Sequence, residues 1–262
     1  MPKLPIIEVD CLDDLPADAI QHVVSSVSQA GCVLVRQRGA ATLDHSRALS
    51  RLGRHFGTPI RHRLSDDNGV HPIRNIPGYP SYANTTSADL LLHTDGSFEE
   101  SPPKVMLISC ETPAPMGGHT RICFARDLYG RLLRDFPSEL EGLWLDDSFT
   151  IRRDDRRSSK PVFRRVGDDR IAITFRFGSD VQIDVRPEAE SGYRRIVSLL
   201  GDPANFIEFK LQANEILAFD NTAVLHGRTD FAPDAGRVLH GLWLDGKPAG
   251  HGLALGFPRD AA

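Results

Sequence analysis

Cysteine is scarce in this chain of 262 residues. The four that occur, Cys11, Cys32, Cys110 and Cys123, are scattered and form no Cys-x-x-Cys pair. That spacing excludes a disulfide-stapled mini-domain and a thiolate zinc site, and it suits reduced thiols in a cytoplasmic protein. No apolar run approaches the roughly 18 residues a membrane span needs, and Met-Pro-Lys-Leu-Pro-Ile-Ile-Glu at the start lacks the apolar stretch of a signal peptide. Positive charge is not in excess either. The formal net charge is −4 and aromatic residues make up 7%, which disfavours a nucleic-acid binder with a basic, aromatic-studded groove. Internal repeats and low-complexity stretches are absent. What remains, 40% apolar and 25% charged residues, is the balance of a globular chain long enough to bury its own core.

The first half reads as mixed helix and strand. Ile20, Val23, Val24 and Val27 form a helical stripe within 18–30 that ends at Gly31, and Cys32 to Val35 is a short buried strand. Thr42 is placed to cap a second helix reaching Phe56. From Thr58 to Leu90 the texture changes to Pro, Gly, Asn and Ser/Thr, which predicts a long loop; directly before a chemically loaded segment, such a loop reads as an active-site lid. After Pro103 short β runs dominate: 104–111, 120–124, 149–152, 170–177, 181–185, 205–211, 215–219 and 238–244. Helices are expected near 125–136 and 187–200. No linker separates the halves. The chain is expected to be one domain over 1–262, mostly β with flanking helices, with a jelly roll or barrel core.

Four segments carry chemistry. In Leu90-Leu-Leu-His-Thr-Asp95, a strand would send His93 and Asp95 to the same face. Alone, this pair also fits a solvent-facing strand end. In Glu215-Ile-Leu-Ala-Phe-Asp-Asn-Thr-Ala-Val-Leu-His226, an apolar strand, a turn and a second run end in a histidine that, alone, also fits a core position. Combined, two imidazoles and one carboxylate make the facial triad of non-heme Fe(II) oxygenases. Such ligands are expected at a rim rather than in the packing core. Arg237 enters the apolar run Arg-Val-Leu-His-Gly-Leu-Trp, eleven positions after His226. A buried guanidinium there requires an anion, and its planar fork suits a carboxylate. Thr120, after Gly117 and Gly118, offers a hydroxyl to the same carboxylate.

These motifs, in this order, resemble the taurine dioxygenase family of Fe(II)/2-oxoglutarate-dependent oxygenases. The stretches Val224-Leu-His-Gly-Arg-Thr-Asp-Phe and Gly236-Arg-Val-Leu-His-Gly-Leu-Trp are most similar to its γ-butyrobetaine hydroxylase branch. The resemblance covers about Leu52 to Gly246. It implies a double-stranded β-helix, a form of jelly roll, with His93, Asp95 and His226 as iron ligands and with Thr120 and Arg237 on the distal carboxylate of 2-oxoglutarate. It also implies O2 as oxidant, succinate and CO2 as products, and hydroxylation, desaturation or epoxidation of a small polar molecule. There are departures. The cysteine/histidine cluster that the extra zinc module of γ-butyrobetaine hydroxylase needs is not found in this sequence, so that module is not expected. Gly241 stands where the taurine enzyme has a second, sulfonate-binding arginine. With only four tyrosines and two tryptophans, an aromatic cage for a trimethylammonium group is not supported; Tyr79 and Tyr82 in the lid read as exposed loop tyrosines rather than as cage walls. The presence of Asp95 disfavours halogenation.

Asn84, Ser97 and Phe98 flank the first motif and are candidate substrate contacts. The basic stretch from Arg152 to Arg165, broken by Asp154 and Asp155, reads either as a solvated loop or as a rim attracting an anionic substrate. His119 and His240 are expected in supporting roles. The expected partner is a small-molecule substrate, with no nucleic acid and no membrane, and the chain is compatible with a homo-oligomer. Two rival readings are a nucleic-acid demethylase using the same metal chemistry and a non-catalytic, cupin-like metal-binding module, which would have no need of Arg237 and Thr120.

Overall fold

The structure, a computed structural model, describes residues 3–39, 42–79, 83–153, 156–179, 181–249 and 252–259. It is mostly β with flanking helices. The larger sheet runs β1 (Ile6–Val9), β2 (Cys32–Gln37), β13 (Glu215–Asp220), β5 (Val105–Thr112), β15 (Val238–Leu244) and β3 (His71–Ile73), in that spatial order. A four-stranded sheet runs β12 (Ile207–Phe209), β6 (Thr120–Phe124), β14 (Val224–Arg228) and β4 (Leu90–His93). Two three-stranded sheets complete the β structure: β11 (Gln182–Val185), β7 (Phe149–Arg153) and β8 (Arg156–Lys160), then β16 (Phe257–Pro258), β10 (Arg170–Ile173) and β9 (Phe163–Val166). The β1–β2 pair is parallel.

The large sheet is covered on both faces, and the period-two alternation of its strands says by what. Cys32 and Leu34 of β2, Met106, Ile108 and Cys110 of β5, and Leu217 and Phe219 of β13 face inward, against Ile122, Phe124 and Val224 of the four-stranded sheet. The alternate residues Val33, Val35, Val105, Leu107, Ile216 and Ala218 pack outward against Val23 and Val27 of α1 (Ala17–Ala30) and Leu49 and Leu52 of α2 (His45–Gly53). Leu92, Cys123 and Leu225, on the outer face of the small sheet, pack with α3 (Ala125–Asp135), α4 (Pro137–Leu140) and α5 (Glu190–Leu200).

Three local expectations are corrected. The cap of α2 is Asp44, whose carboxylate accepts from Arg47 N at 3.0 Å, not Thr42. The strand expected over 170–177 ends at Ile173, because Thr94 draws the chain away at Phe175. The 58–90 segment is not wholly irregular: β3 pairs with β15 inside it. Tyr82 lies outside the described residues, as do Asp154 and Asp155.

Candidate metal centre and its cavity

Strands β14 and β4 pair antiparallel with His226 directly opposite His93. Cross-strand register therefore brings the two imidazoles together, with ring centroids 4.5 Å apart. Asp95 arrives by a different route. It lies two residues beyond the end of β4, so strand alternation does not aim it. Asn221, in the turn between β13 and β14, fixes it instead: Asp95 N donates to Asn221 Oδ1 at 2.8 Å, and Asn221 Nδ2 donates to the carbonyls of Asp95 and Pro103 at 3.0 and 2.8 Å. Thr94 adds a second tie, its N donating to Phe175 O at 2.9 Å and its Oγ1 accepting from Phe175 N at 3.0 Å.

One ligand atom from each of His93, Asp95 and His226 lies within 4.8 Å of the others. The expected rim position is not found. His93 is 1% exposed and His226 7%, because the strands that carry them lie between two packed layers. His93 Nδ1 is 2.7 Å from the Leu91 carbonyl, which can only accept, so Nδ1 carries the hydrogen. In that tautomer the lone pair of Nε2 points toward Asp95 Oδ1 at 3.1 Å. Two acceptors face each other, and a cation resolves that contact. Burial works against ionisation of Asp95, but the groups around it, His93 first and then His226 and Arg176, hold its carboxyl below the usual carboxylate range. Burial, then His93, pushes His226 down to about 3, so its imidazole is neutral at pH 7. Two imidazoles and a carboxylate converging from one side fit a divalent first-row metal such as Fe(II).

The site opens into a cavity of about 440 Å³ whose walls include Asp95, His226, Thr120 and Arg237, as well as Asn84, Ser97 and Phe98. Arg237 is 6% exposed, its Nη1 has no partner, and burial pushes its guanidinium down to about 10. The anion it requires is not supplied by any described side chain. Gly117 and Gly118 have φ of +68° and +65°, and a Cβ on Gly118 would stand 3.1 Å from Arg237 Nε. Glycine here makes room for the guanidinium. Among the substrate candidates, Ser97 spends its hydroxyl on the Thr94 carbonyl at 2.7 Å and Asn84 Nδ2 donates to Pro72 O at 3.4 Å. Phe98 lies under the guanidiniums of Arg153 and Arg156, at 5.4 and 5.9 Å. His240 pairs with Glu111 at 2.7 Å and stacks on His45.

Several lining residues escaped the sequence reading. His62 and His71 stack at 4.5 Å, and both meet the ring of Trp243 edge-on. A Cβ on Gly241 would lie 2.7 Å from His71 Nε2. The space a second arginine would need is filled by His71. Arg176, 6% exposed, also lines the cavity. It was findable, because a lone arginine within Ile171-Ala-Ile-Thr-Phe-Arg-Phe177 carries the same signal as Arg237. His71 offered no such signal.

Comparison with known proteins places the chain in a family. A uridine-5'-phosphate dioxygenase of Streptomyces sp is 30% identical over 190 residues, 68% of this chain and 69% of that one. A gamma-butyrobetaine dioxygenase of Pseudomonas sp. (strain AK-1) is 26% identical over 170 residues, 61% of this chain but only 44% of that one. The structure of asparagine oxygenase with Fe(II), 2S,3S-3-hydroxyasparagine and succinate superposes with a TM-score of 0.71 at 18% identity, covering 87% of this chain and 79% of that one. AAD-2 with Mn(II) and N-oxalylglycine gives 0.69 at 17% identity, covering 95% and 98%. The sequence profile described as taurine catabolism dioxygenase TauD, TfdA family matches residues 7–243, so the chain belongs to that family.

Proposed function

We propose that the chain is an Fe(II)- and 2-oxoglutarate-dependent dioxygenase. It hydroxylates, or desaturates or epoxidises, an unactivated C–H position of a small polar molecule. The observation that carries the reading is one cavity containing both a two-histidine, one-carboxylate cluster and a buried, unpaired Arg237. Bound iron and 2-oxoglutarate would supply the activation of O2, coupling release of CO2 and succinate to oxidation of the substrate. His93, Asp95 and His226 hold the metal, and Asn221 holds Asp95. Arg237 and Thr120 take the distal carboxylate and so orient the co-substrate. The segment 58–90, which contributes His62, His71 and Asn84 to the walls, serves as a cover that limits water. We read the two facing sheets as a double-stranded β-helix and the chain as a single cytoplasmic domain.

The cavity walls also bear on the substrate. Among the described residues seven arginines line it, at 61, 63, 153, 156, 176, 228 and 237, against two carboxylates, Asp95 and Glu99. Glu99 pairs with Arg156. In a chain of net charge −4, this local excess favours an anionic substrate. A phosphate-bearing compound, as in the name of the Streptomyces relative, fits it better than a quaternary ammonium compound. A 440 Å³ cavity is of small-molecule size, which argues against the demethylase reading. A non-catalytic cupin-like module would have no use for Arg237.

Anaerobic titration of the purified chain with Fe(II) and 2-oxoglutarate tests the reading. A weak visible charge-transfer band is expected, followed by succinate formation in air and a +16 or −2 Da mass shift in a substrate panel that includes uridine 5'-phosphate. No band and no succinate would refute it.

A further inference from the structure

The assignment above gives the distal carboxylate of the co-substrate one guanidinium. A second lies beside it. We propose that Arg228 joins Arg237 in a two-guanidinium clasp on that carboxylate, and that Arg228 makes the site select a 2-oxo diacid over a 2-oxo monoacid. The proposal rests on the function proposed above.

The strand pattern places Arg228 in the cavity. It stands two residues after His226 on β14, and directly opposite Thr120 on β6. Arg228 and Arg237 are 5% and 6% exposed. Their guanidinium carbons lie 4.8 and 5.1 Å from the centre of the same ring, Phe231. One buried aromatic thus gathers two cations into one neighbourhood. Burial and then the charge of Arg237 push Arg228 down to about 9.

Neither cation has an acidic partner. No described carboxylate forms an ion pair with Arg228 or Arg237; Asp89 and Asp230 act on Arg228 only at a distance. Arg228 Nη2 donates to the Ala88 carbonyl, reached because Gly227 lets β14 approach β4: a Cβ there would lie 2.6 Å from Leu90 O. That bond uses one of five N–H donors. Arg228 Nε and Arg237 Nη1 stay buried without partners. Two adjacent buried cations with unsatisfied N–H groups are costly unless an anion enters between them. A carboxylate has about four lone-pair sites, enough for both guanidiniums and the Thr120 hydroxyl. A mere strut to Ala88 would explain the single carbonyl bond. It would explain neither the orphaned Nε nor the position opposite Thr120.

The test compares two ligands that differ only at the far end. The Fe(II)-loaded chain is titrated anaerobically with 2-oxoglutarate and with 2-oxobutyrate, following the charge-transfer band, for wild type, Arg228→Met and Arg228→Lys. Arg228→Met should weaken 2-oxoglutarate about tenfold or more, the scale of a lost charge-assisted hydrogen bond, and leave 2-oxobutyrate within about twofold. Arg228→Lys keeps a charge but not the fork, so it should show the same selectivity loss in part; it decides the matter if the methionine variant does not fold. Equal weakening of both ligands would make Arg228 a strut, and unchanged affinities would make it irrelevant; either overturns the clasp. Failure of the wild type to bind 2-oxoglutarate would refute the proposed function itself, and the clasp with it.

Discussion

His93 faces Asp95 across 3.1 Å, Nε2 to Oδ1, with its other nitrogen committed to the Leu91 carbonyl. In the neutral ring this is a contact between two acceptors, which predicts an unusual response to Asp95→Asn. The amide would donate a hydrogen to Nε2 and relieve the contact without a metal. The metal-free variant should therefore melt at or above the wild-type temperature, yet bind Fe(II) at least about 10-fold more weakly and form no succinate. His93→Ala and His226→Ala should also abolish turnover. Both side chains are buried, so each of these should lower the melting temperature. Calorimetry with chelator present, beside a metal-binding titration, separates the two classes.

Asn221 is 2% exposed and its side chain makes three hydrogen bonds, two of them to the backbone of Asp95. It belongs neither to the metal cluster nor to the cavity lining, so its role is positioning. Asn221→Ala removes all three bonds at about 1 kcal/mol each and frees the turn that aims the carboxylate. Iron affinity should fall more than overall stability does. Asn221→Asp restores the acceptor for Asp95 N but not the two donated bonds, and should recover only part of the affinity. Equal loss of affinity and stability in both variants would point to a purely structural residue.

Arg237→Ala should raise the 2-oxoglutarate requirement by about 30- to 150-fold, from loss of a charged hydrogen-bonded pair worth about 2–3 kcal/mol. The requirement for the primary substrate should change far less. Gly118→Ala approaches the same side chain from behind. Its new Cβ would stand 3.1 Å from Nε at a φ of +65°, displacing the guanidinium and straining the backbone by about 1 kcal/mol. A weaker version of the Arg237→Ala phenotype is expected, read as the ratio of the two Michaelis constants.

These residues divide by how far their reasons extend along the chain. Strands β6, β13 and β15 match their sequence-predicted bounds to within a residue, since mostly apolar, largely buried runs announce themselves locally. Strand β8, Arg-Arg-Ser-Ser-Lys, does not, because its pairing with β7 rather than its own composition makes it a strand. His93, His226 and Arg237 were legible as residue types that an apolar run must justify. The placement of Asp95 was not: the i, i+2 argument expected the strand to aim it, whereas a side chain 126 positions away does so. His71 sits among prolines and glycines, where periodicity says nothing, and only the pairing of β3 with β15 brings it against Gly241.

His71 also makes the fold sensitive to acid. It is 2% exposed, and burial, then the neighbouring His62, pushes it down to about 3 from an ordinary 6.5. Between those values the unfolded chain binds a proton that the folded chain refuses. Stability from His71 is therefore complete above pH 6.5 and declines as pH falls toward 3. Asp220 runs the other way: burial raises it to about 6 from 3.8, so the folded chain is the one that holds a proton between those values. The two partly offset each other, and a difference between variants isolates the histidine. His71→Phe keeps a flat ring against His62 and Trp243 but cannot titrate. From pH 7 to pH 5, with chelator present to remove the metal's own contribution, wild type should lose about 2 kcal/mol more than the variant, since 1.5 pH units below 6.5 correspond to about that much. Denaturant unfolding at the two pH values measures it, and equal losses in both proteins would mean that His71 is not held neutral by its burial.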